Sequence, residues 1–208
     1  MWTVNDLETV FQNRRLGVQG AKGEFAVLVP LVEEKGELCL LFERRADSLK
    51  GHQPGEVCFP GGRMEAGETP WQTALRETWE EIGVTEEQVR LIAPLDVVQE
   101  INGRVIYPFL GQVAAEALEK LVLSDGEVQE VFTVPLNFFR QAQPFLYTCP
   151  VMIQVDEDFP YERVHAPGGY AWRNGSLEVP IYEYEGRVIW GMTGRTVRWL
   201  VQRLEEGT

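Results

Sequence analysis

Apolar and polar residues fall along this chain in blocks whose period changes several times. Residues 5–16 have helical spacing, with Leu7, Val10, Phe11 and Arg14 three or four apart and Asn5 placed to cap a short helix. A break follows over 17–23. The apolar run 25–32 reads as a strand, Glu33-Glu34-Lys35-Gly36 as a turn, and 38–43 as the returning arm of a hairpin. Residues 46–68 hold five of the 20 glycines, with Pro54 and Pro60, and predict a long loop rather than regular structure. Loops of that length in compact domains are usually functional or disordered.

The clearest helix starts at Thr69. Pro70 sits where a first-turn proline is tolerated, Thr69 and Gln72 have capping-box spacing, and Gly83 supplies a left-handed stop. Beyond it, 89–99 and 104–113 read as strands around an Asn102-Gly103 turn. Residues 114–121 have helical propensity but run quickly into Ser124-Asp125-Gly126. A short strand is expected over 131–134, and Pro135 opens a helical turn through Arg140. Strands are expected over 151–155, 177–184 and 187–190. A terminal helix over 193–204 carries Val197, Leu200, Val201 and Leu204 on one face. Residues 157–176, rich in Pro, Gly and aromatics, read as an ordered surface excursion from a single domain spanning 1–208.

On a helical wheel, Trp71, Leu75, Thr78, Trp79 and Ile82 share one side of the 70–82 helix. Glu77, Glu80 and Glu81 gather on the other, at i, i+3 and i+4, with Arg76 beside them. A solvated acidic face is the ordinary explanation. Three points oppose it. Like charges at this spacing destabilise a helix by a few tenths of a kcal/mol per pair. They lie toward the C-terminus, where the macrodipole disfavours anions. Only one adjacent cation compensates. A hard cation such as Mg²⁺ or Mn²⁺, which takes oxygen ligands and is shared with substrate phosphates, would account for the arrangement. Gly61-Gly62, just upstream, puts backbone where it can approach such a centre closely.

Composition narrows the choice. The 208 residues carry 32 acidic and 19 basic side chains, a net charge of −13. Such a surface repels phosphate backbones, so nucleic acid is not an expected partner. A small anionic substrate remains open, because a bound cation reverses the local field. No apolar run reaches membrane-helix length, and the N-terminus lacks a signal-peptide pattern, so no membrane partner and a cytoplasmic location are expected. A homodimer is left open as an assembly state. Cys39, Cys58 and Cys149 are odd in number and far apart, and are expected to be reduced thiols.

Spacing then decides. Gly62, five residues, Glu68, seven residues, and Arg76-Glu77-Thr78-Trp79-Glu80-Glu81-Ile82-Gly83-Val84 resemble the Nudix box, G-x5-E-x7-R-E-U-x-E-E-x-G-U, with U a bulky aliphatic residue. Every fixed position matches; Thr78 departs at the first U, on the core side of the helix. The resemblance implies a Nudix-type α/β/α sandwich with a mixed central β-sheet. It implies Mg²⁺ or Mn²⁺ held by Glu77, Glu80 and Glu81, with a Gly61 or Gly62 carbonyl as an additional ligand. Arg76 would orient Glu77, and Glu68 would brace Arg76. The implied reaction is attack of a metal-activated water on a diphosphate.

A narrower likeness lies upstream. Leu41-Phe42-Glu43-Arg44-Arg45-Ala46 and Gly55-Glu56-Val57-Cys58-Phe59-Pro60-Gly61-Gly62 resemble the stretch preceding the box in coenzyme A pyrophosphatases, with Phe42, Glu43 and Lys50 as departures and one extra residue before Gly55. Stretches from Glu127-Val128 to Pro135-Leu136 and from Ile189 to Gly194 also resemble that subfamily. The likeness covers about residues 24–203, with 157–176 outside it. It implies a coenzyme A-like nucleotide substrate. Arg45 and Lys50 would serve as binding residues, with His52 and Arg63 as further local bases, although Arg44, Arg45 and Lys50 could equally pair with surface acids. Glu127 would be a fourth ligand or the general base, in competition with Glu130. His165 reads as a surface histidine. Another nucleoside diphosphate derivative such as ADP-ribose is the alternative substrate. A catalytically silent nucleotide-binding module is the alternative of another class, which the intact box carboxylates disfavour.

Overall fold

The computed structural model describes residues 2–14, 16–48 and 53–207. The chain forms two compact units, one from residues up to Leu31 with Pro60–Ser124, the other from Val32–Phe59 with residues from Asp125 onward.

The first unit opens with helix α1, Val4–Phe11, shorter than the expected 5–16. Its cap is Thr3 rather than Asn5. The Thr3 Oγ1 accepts from the Asp6 amide, and the Asp6 carboxylate accepts from the Thr3 amide at 2.8 Å. This reciprocal box starts the helix two residues earlier. No α1 residue is buried.

Strand β1, Gly23–Glu34, is apolar and buried over Ala26–Val32, as expected of a strand covered on both faces. The loop read over 46–68 contains two short strands, β3 (Val57–Cys58) and β4 (Gly61–Arg63). In the first unit β4 pairs antiparallel with β1, Val27 opposite Gly61 and Ala26 opposite Gly62. Helix α2, Pro70–Ile82, follows with the expected bounds. The segment expected as one strand over 89–99 is broken into β5 (Val89–Pro94) and β6 (Val98–Gln99), with Leu95 between them still donating to the Pro108 carbonyl at 2.9 Å. Both pair antiparallel with β7, Arg104–Val113, whereas β1 pairs parallel with β7 from Gly23↔Arg104 to Leu31↔Gln112. The sheet is thus mixed, as expected. A parallel pair needs a crossover, and α2 lies on it, packed against β4 and β7. The ambiguous 114–121 segment is a 3₁₀ turn over Ala115–Lys120.

In the second unit, β2 (Glu37–Arg45) pairs antiparallel with β3 and with β8 (Val128–Pro135), twice the expected length of the latter. Helix α3, Leu136–Gln141, follows, and Phe42 lies at 0% exposure against Phe59, Phe132 and Phe139, with ring centroids 4.9, 5.7 and 5.9 Å away. A second sheet has the order β11 (Arg187–Ile189), β10 (Gly175–Tyr184), β9 (Phe145–Val151). The strand expected over 151–155 thus lies upstream. Pairing with β10 runs only from Phe145↔Ile181 to Val151↔Gly175, and Met152 and Ile153 fall outside the ladder. Helix α4, Gly191–Glu206, packs on β10 with Val197, Leu200 and Val201 buried. A Cβ on Gly194 would lie 2.8 Å from the Pro180 carbonyl, so this helix–strand approach requires glycine. In the 157–176 excursion, Phe159, Tyr161, Tyr170 and Trp172 pack ring against ring. Cys39, Cys58 and Cys149 form no disulfide. No helix among the described residues is long and apolar enough to cross a membrane.

Phe42→Ala removes the ring on which three others stack, and is expected to lower unfolding free energy by about 3–5 kcal/mol in urea denaturation. A loss under about 1 kcal/mol would show that the second unit does not depend on this stack.

Candidate functional site

The local code of α2 places its acidic face. Thr69 Oγ1 accepts from the Gln72 amide, and Gln72 Oε1 accepts from the Thr69 amide at 2.9 Å. Gly83 ends the helix at φ 76°, its amide donating to the Trp79 carbonyl at 2.9 Å. Leu75, Thr78 and Ile82 face the core, and Thr78 satisfies its hydroxyl by donating to the Ala74 carbonyl at 2.6 Å. Trp79, expected on that side, is instead 57% exposed. It flanks a cleft of about 710 Å³ lined also by Gly67, Glu68, Leu75, Arg76 and Glu86. The indole lies at the edge of the apolar arc, next to the acidic one, and the core has no room reserved for it.

Arg76 gathers the charges. Its Nε donates to Glu68 Oε1 at 2.7 Å and its Nη2 to Glu68 Oε2 at 3.2 Å. Its Nη1 donates to Glu77 Oε1 and to Glu80 Oε2, each at 2.9 Å, and Nη2 also reaches the Arg63 carbonyl at 3.1 Å. Charge-assisted bonds from a planar fork are stronger and more directional than neutral ones. Glu68 additionally accepts from Thr73 Oγ1 at 2.6 Å and from the Glu65 amide at 3.0 Å. Arg76, then Thr73, then the Glu65 amide hold the Glu68 carboxyl down to about 2. Glu68 in turn raises the Arg76 pKa, so the guanidinium stays charged. Burial pushes the Glu77 carboxyl up, Arg76 opposes this, and Glu80 adds repulsion. The half-buried Glu77 is thus an anion short of positive charge.

Two glycines set how closely the loop meets this helix. A Cβ on Gly61 would lie 2.3 Å from the Ala26 carbonyl, and one on Gly62 would lie 2.3 Å from the Glu77 carboxyl carbon. Strand β4 is therefore wedged between β1 and the acidic face. The Gly61 amide donates to the buried Glu81 at 2.8 Å. The structure so brings together Gly61, Gly62, Glu68, Arg76, Glu77, Glu80 and Glu81. Among the described residues, no three acidic, imidazole or thiol side chains already converge on one point. The donor chemistry fits a hard divalent cation: the groups are all oxygen, and Glu77 and Glu80 share a cationic partner on one side.

The remaining expected residues lie in the second unit. Arg45 ends β2 beside a register shift, its amide donating to the Glu56 carbonyl at 2.9 Å. Burial raises the Glu56 carboxyl pKa and Arg45 opposes this, so the two charges sense each other. Lys50 and His52 lie outside the described residues. Arg44 pairs with Asp47 at 2.7 Å, and exposed Arg63 contributes its carbonyl to Arg76. The Glu127 carbonyl accepts from the Ala46 amide at 2.8 Å. Glu130 is held by Arg187, whose Nε and Nη2 both donate to Glu130 Oε1, with that guanidinium 4.6 Å over the Phe132 ring. His165 is exposed. Two contributors were not singled out from sequence. Thr73, amid helix core positions, buttresses Glu68; its hydroxyl at i+5 from an acid is a weak signal. Glu43, 1% exposed, accepts from Cys58 Sγ at 3.2 Å. Its signal was an acid directly after the apolar run Leu38–Phe42.

Residues 23–147 match the family described as NUDIX domain. The chain is similar to Nudix hydrolase 3 of Caenorhabditis elegans, 44% identical over 70% of this chain and 66% of that protein. It is similar to the peroxisomal coenzyme A diphosphatase NUDT7 of Mus musculus, 37% identical over 67% of this chain and 57% of that protein. The chain thus spans less than two thirds of these relatives' lengths. In fold, it resembles the crystal structure of a MutT/nudix family protein from Enterococcus faecalis, with a TM-score of 0.50 at 18% identity over 99% of this chain and 69% of the other.

Because the Glu68 carboxyl is held at about 2 in the folded chain against 4.5 ordinarily, its stabilising contribution is complete above the ordinary value and lost as pH falls toward 2. Wild type is therefore expected to lose more stability than Glu68→Gln between pH 5 and pH 2 in urea titrations, by a margin of about 1 kcal/mol or more. Equal acid slopes for the two proteins would show that the Glu68–Arg76 contact stabilises nothing.

Proposed function

As this chain belongs to the NUDIX domain family, we propose that it hydrolyses the diphosphate linkage of a nucleotide derivative, with coenzyme A or acyl-CoA as substrate. The observation that carries the reading is the single guanidinium of Arg76 holding Glu68, Glu77 and Glu80 beside Gly61-Gly62. That arrangement organises carboxylates for a cation instead of dispersing them into solvent. Glu77, Glu80 and Glu81, with a Gly61 or Gly62 carbonyl, would hold Mg²⁺ or Mn²⁺. Bound there, the ion lowers the pKa of water and offsets charge building on phosphate oxygens.

The chain's own residues do the rest. Arg76 orients Glu77 and Glu80, and Glu68 with Thr73 fixes Arg76. A water oxygen adds to one phosphorus, the bridging P–O bond breaks, and the water proton passes to a carboxylate, for which Glu127 is our candidate. Coenzyme A plus water then gives 3′,5′-ADP and 4′-phosphopantetheine. Arg45 and Lys50 would meet the ribose 3′-phosphate. The specificity rests on the 41–62 likeness and on a relative named as a coenzyme A diphosphatase. The acidic surface supports a small anionic substrate over nucleic acid.

Purified protein with Mg²⁺ or Mn²⁺ is expected to release both products from coenzyme A, identified by mass, and chelator is expected to abolish release. Glu80→Gln is expected to lose about 10²-fold or more in kcat with its fold retained, as for removal of one transition-state electrostatic contact. Cleavage of ADP-ribose with coenzyme A intact would move the substrate while keeping the reaction. Tight nucleotide binding without turnover in either metal would sink the enzymatic reading. Gly62→Ala drives its Cβ into the Glu77 carboxylate held by Arg76, so it is expected to lower both the melting temperature and turnover, and wild-type turnover in that variant would show that the close approach is not needed.

A further inference from the structure

We propose that strand β9 is a self-association edge, on which a second copy of this chain adds its own β9 antiparallel about a twofold axis through Thr148. The strand is the terminal member of the β11–β10–β9 sheet, and among the described residues it pairs with β10 alone. Phe145, Leu146 and Tyr147 are 65%, 45% and 58% exposed, and Thr148 and Pro150 are exposed beside them. Folded proteins protect such edges with lysines, short strands or a covering element. Here residues 141–155 include no charged side chain, the longest such stretch in a chain of net charge −13. Two copies of so acidic a chain repel each other nearly everywhere, and this edge lets them meet without apposing carboxylates.

The ladder sets which backbone groups of β9 face the open edge. Hydrogen-bonded and non-hydrogen-bonded residue pairs alternate in an antiparallel ladder. Pro150 stands opposite Ser176, and Pro180 opposite Leu146. Proline has no N–H to give, so these even-numbered positions of β9 are the non-hydrogen-bonded ones. The amides of Leu146 and Thr148 therefore turn to the open edge, and Pro150 offers that edge a carbonyl without needing to donate. A twofold at Thr148 makes use of all of them. Thr148 exchanges both bonds with the partner's Thr148, and Leu146 donates to the carbonyl of the partner's Pro150. Phe145 then faces the partner's Val151, and Tyr147 the partner's Cys149, all uncharged pairs of the kind that stabilise sheets. The same patch serves both copies, as closed twofold assembly requires. A twofold at Tyr147 would pair Leu146 with the partner's Thr148 but set the Pro150 carbonyl against the partner's donorless Pro144.

Sedimentation and light scattering at micromolar concentration are expected to show a dimer. Thr148→Lys puts two ammonium groups face to face on the axis and is expected to weaken dimerisation by at least about tenfold, with an unchanged far-UV spectrum and melting curve at low concentration. Residues directly opposite have Cα atoms about 5 Å apart, within disulfide reach. In a Cys149→Ser background, Thr148→Cys is thus expected to form a disulfide-linked dimer on mild oxidation, and Leu146→Cys is not. A monomeric wild type, a dimer indifferent to Thr148→Lys, or cross-linking at 146 in place of 148 would overturn the proposal.

Discussion

The site depends on one guanidinium. Among the described residues, Arg76 is the cation that Glu68, Glu77 and Glu80 share, and it reaches back to the Arg63 carbonyl of β4 as well. Carboxylates three and four apart repel along a helix, and they do so here near the end where the helix dipole is also negative. The fork offsets that repulsion and converts it into position. Each arm is assigned, so rotating one carboxylate disturbs the others. Glu68 is the most firmly held of the three, by Arg76, Thr73 and the Glu65 amide together. Glu77 is the least satisfied, because burial works against its charge. A site with one saturated anchor and one under-compensated anion is suited to accept further positive charge.

The second constraint is steric. Strand β4 has three residues, two of them glycine, and it fits between β1 and α2 only because neither glycine carries a Cβ. The crossover from β1 to β7 runs through this wedge, so the parallel pairing of the sheet and the closeness of backbone to Glu77 and Glu81 come from the same chain path. Fold and site share the requirement, which is why a Gly-Gly that would be unremarkable in an ordinary turn has consequences here.

Much was legible beforehand where the code is local. Thr69, Gln72, Pro70 and Gly83 mark both ends of α2 through bonds spanning at most four residues, and the helix has the bounds they imply. The Glu68–Arg76–Glu77 arrangement was implied by the likeness to the Nudix box rather than by helical spacing. Legibility fell where distant pairing decides. Val151-Met152-Ile153 has strand composition, yet β9 lies upstream because β10 offers partners only from Gly175 to Ile181. Strands β3 and β4 were hidden in a glycine-rich stretch, being too short to show a period and existing only through their neighbours. Trp79 was drawn to the core by its hydropathy, but the core beneath α2 is filled by Leu75, Thr78 and Ile82.

The sequence by itself determined the helix that carries the chemistry, the identity and spacing of its acids, the cation among them and the family they indicate. Those features depend on helical periodicity, capping and residue type, all encoded within a few positions. Tertiary structure alone decided that Arg76 binds all three acids at once, that Gly61 and Gly62 are sterically required, that Thr73 supports Glu68, and that Glu130 is taken up by Arg187. It also decided that an uncharged run becomes an open strand edge. The physical reason is the same in each case. Close approach, and the choice of which polar group satisfies which, are settled only when packed segments exclude water from between them.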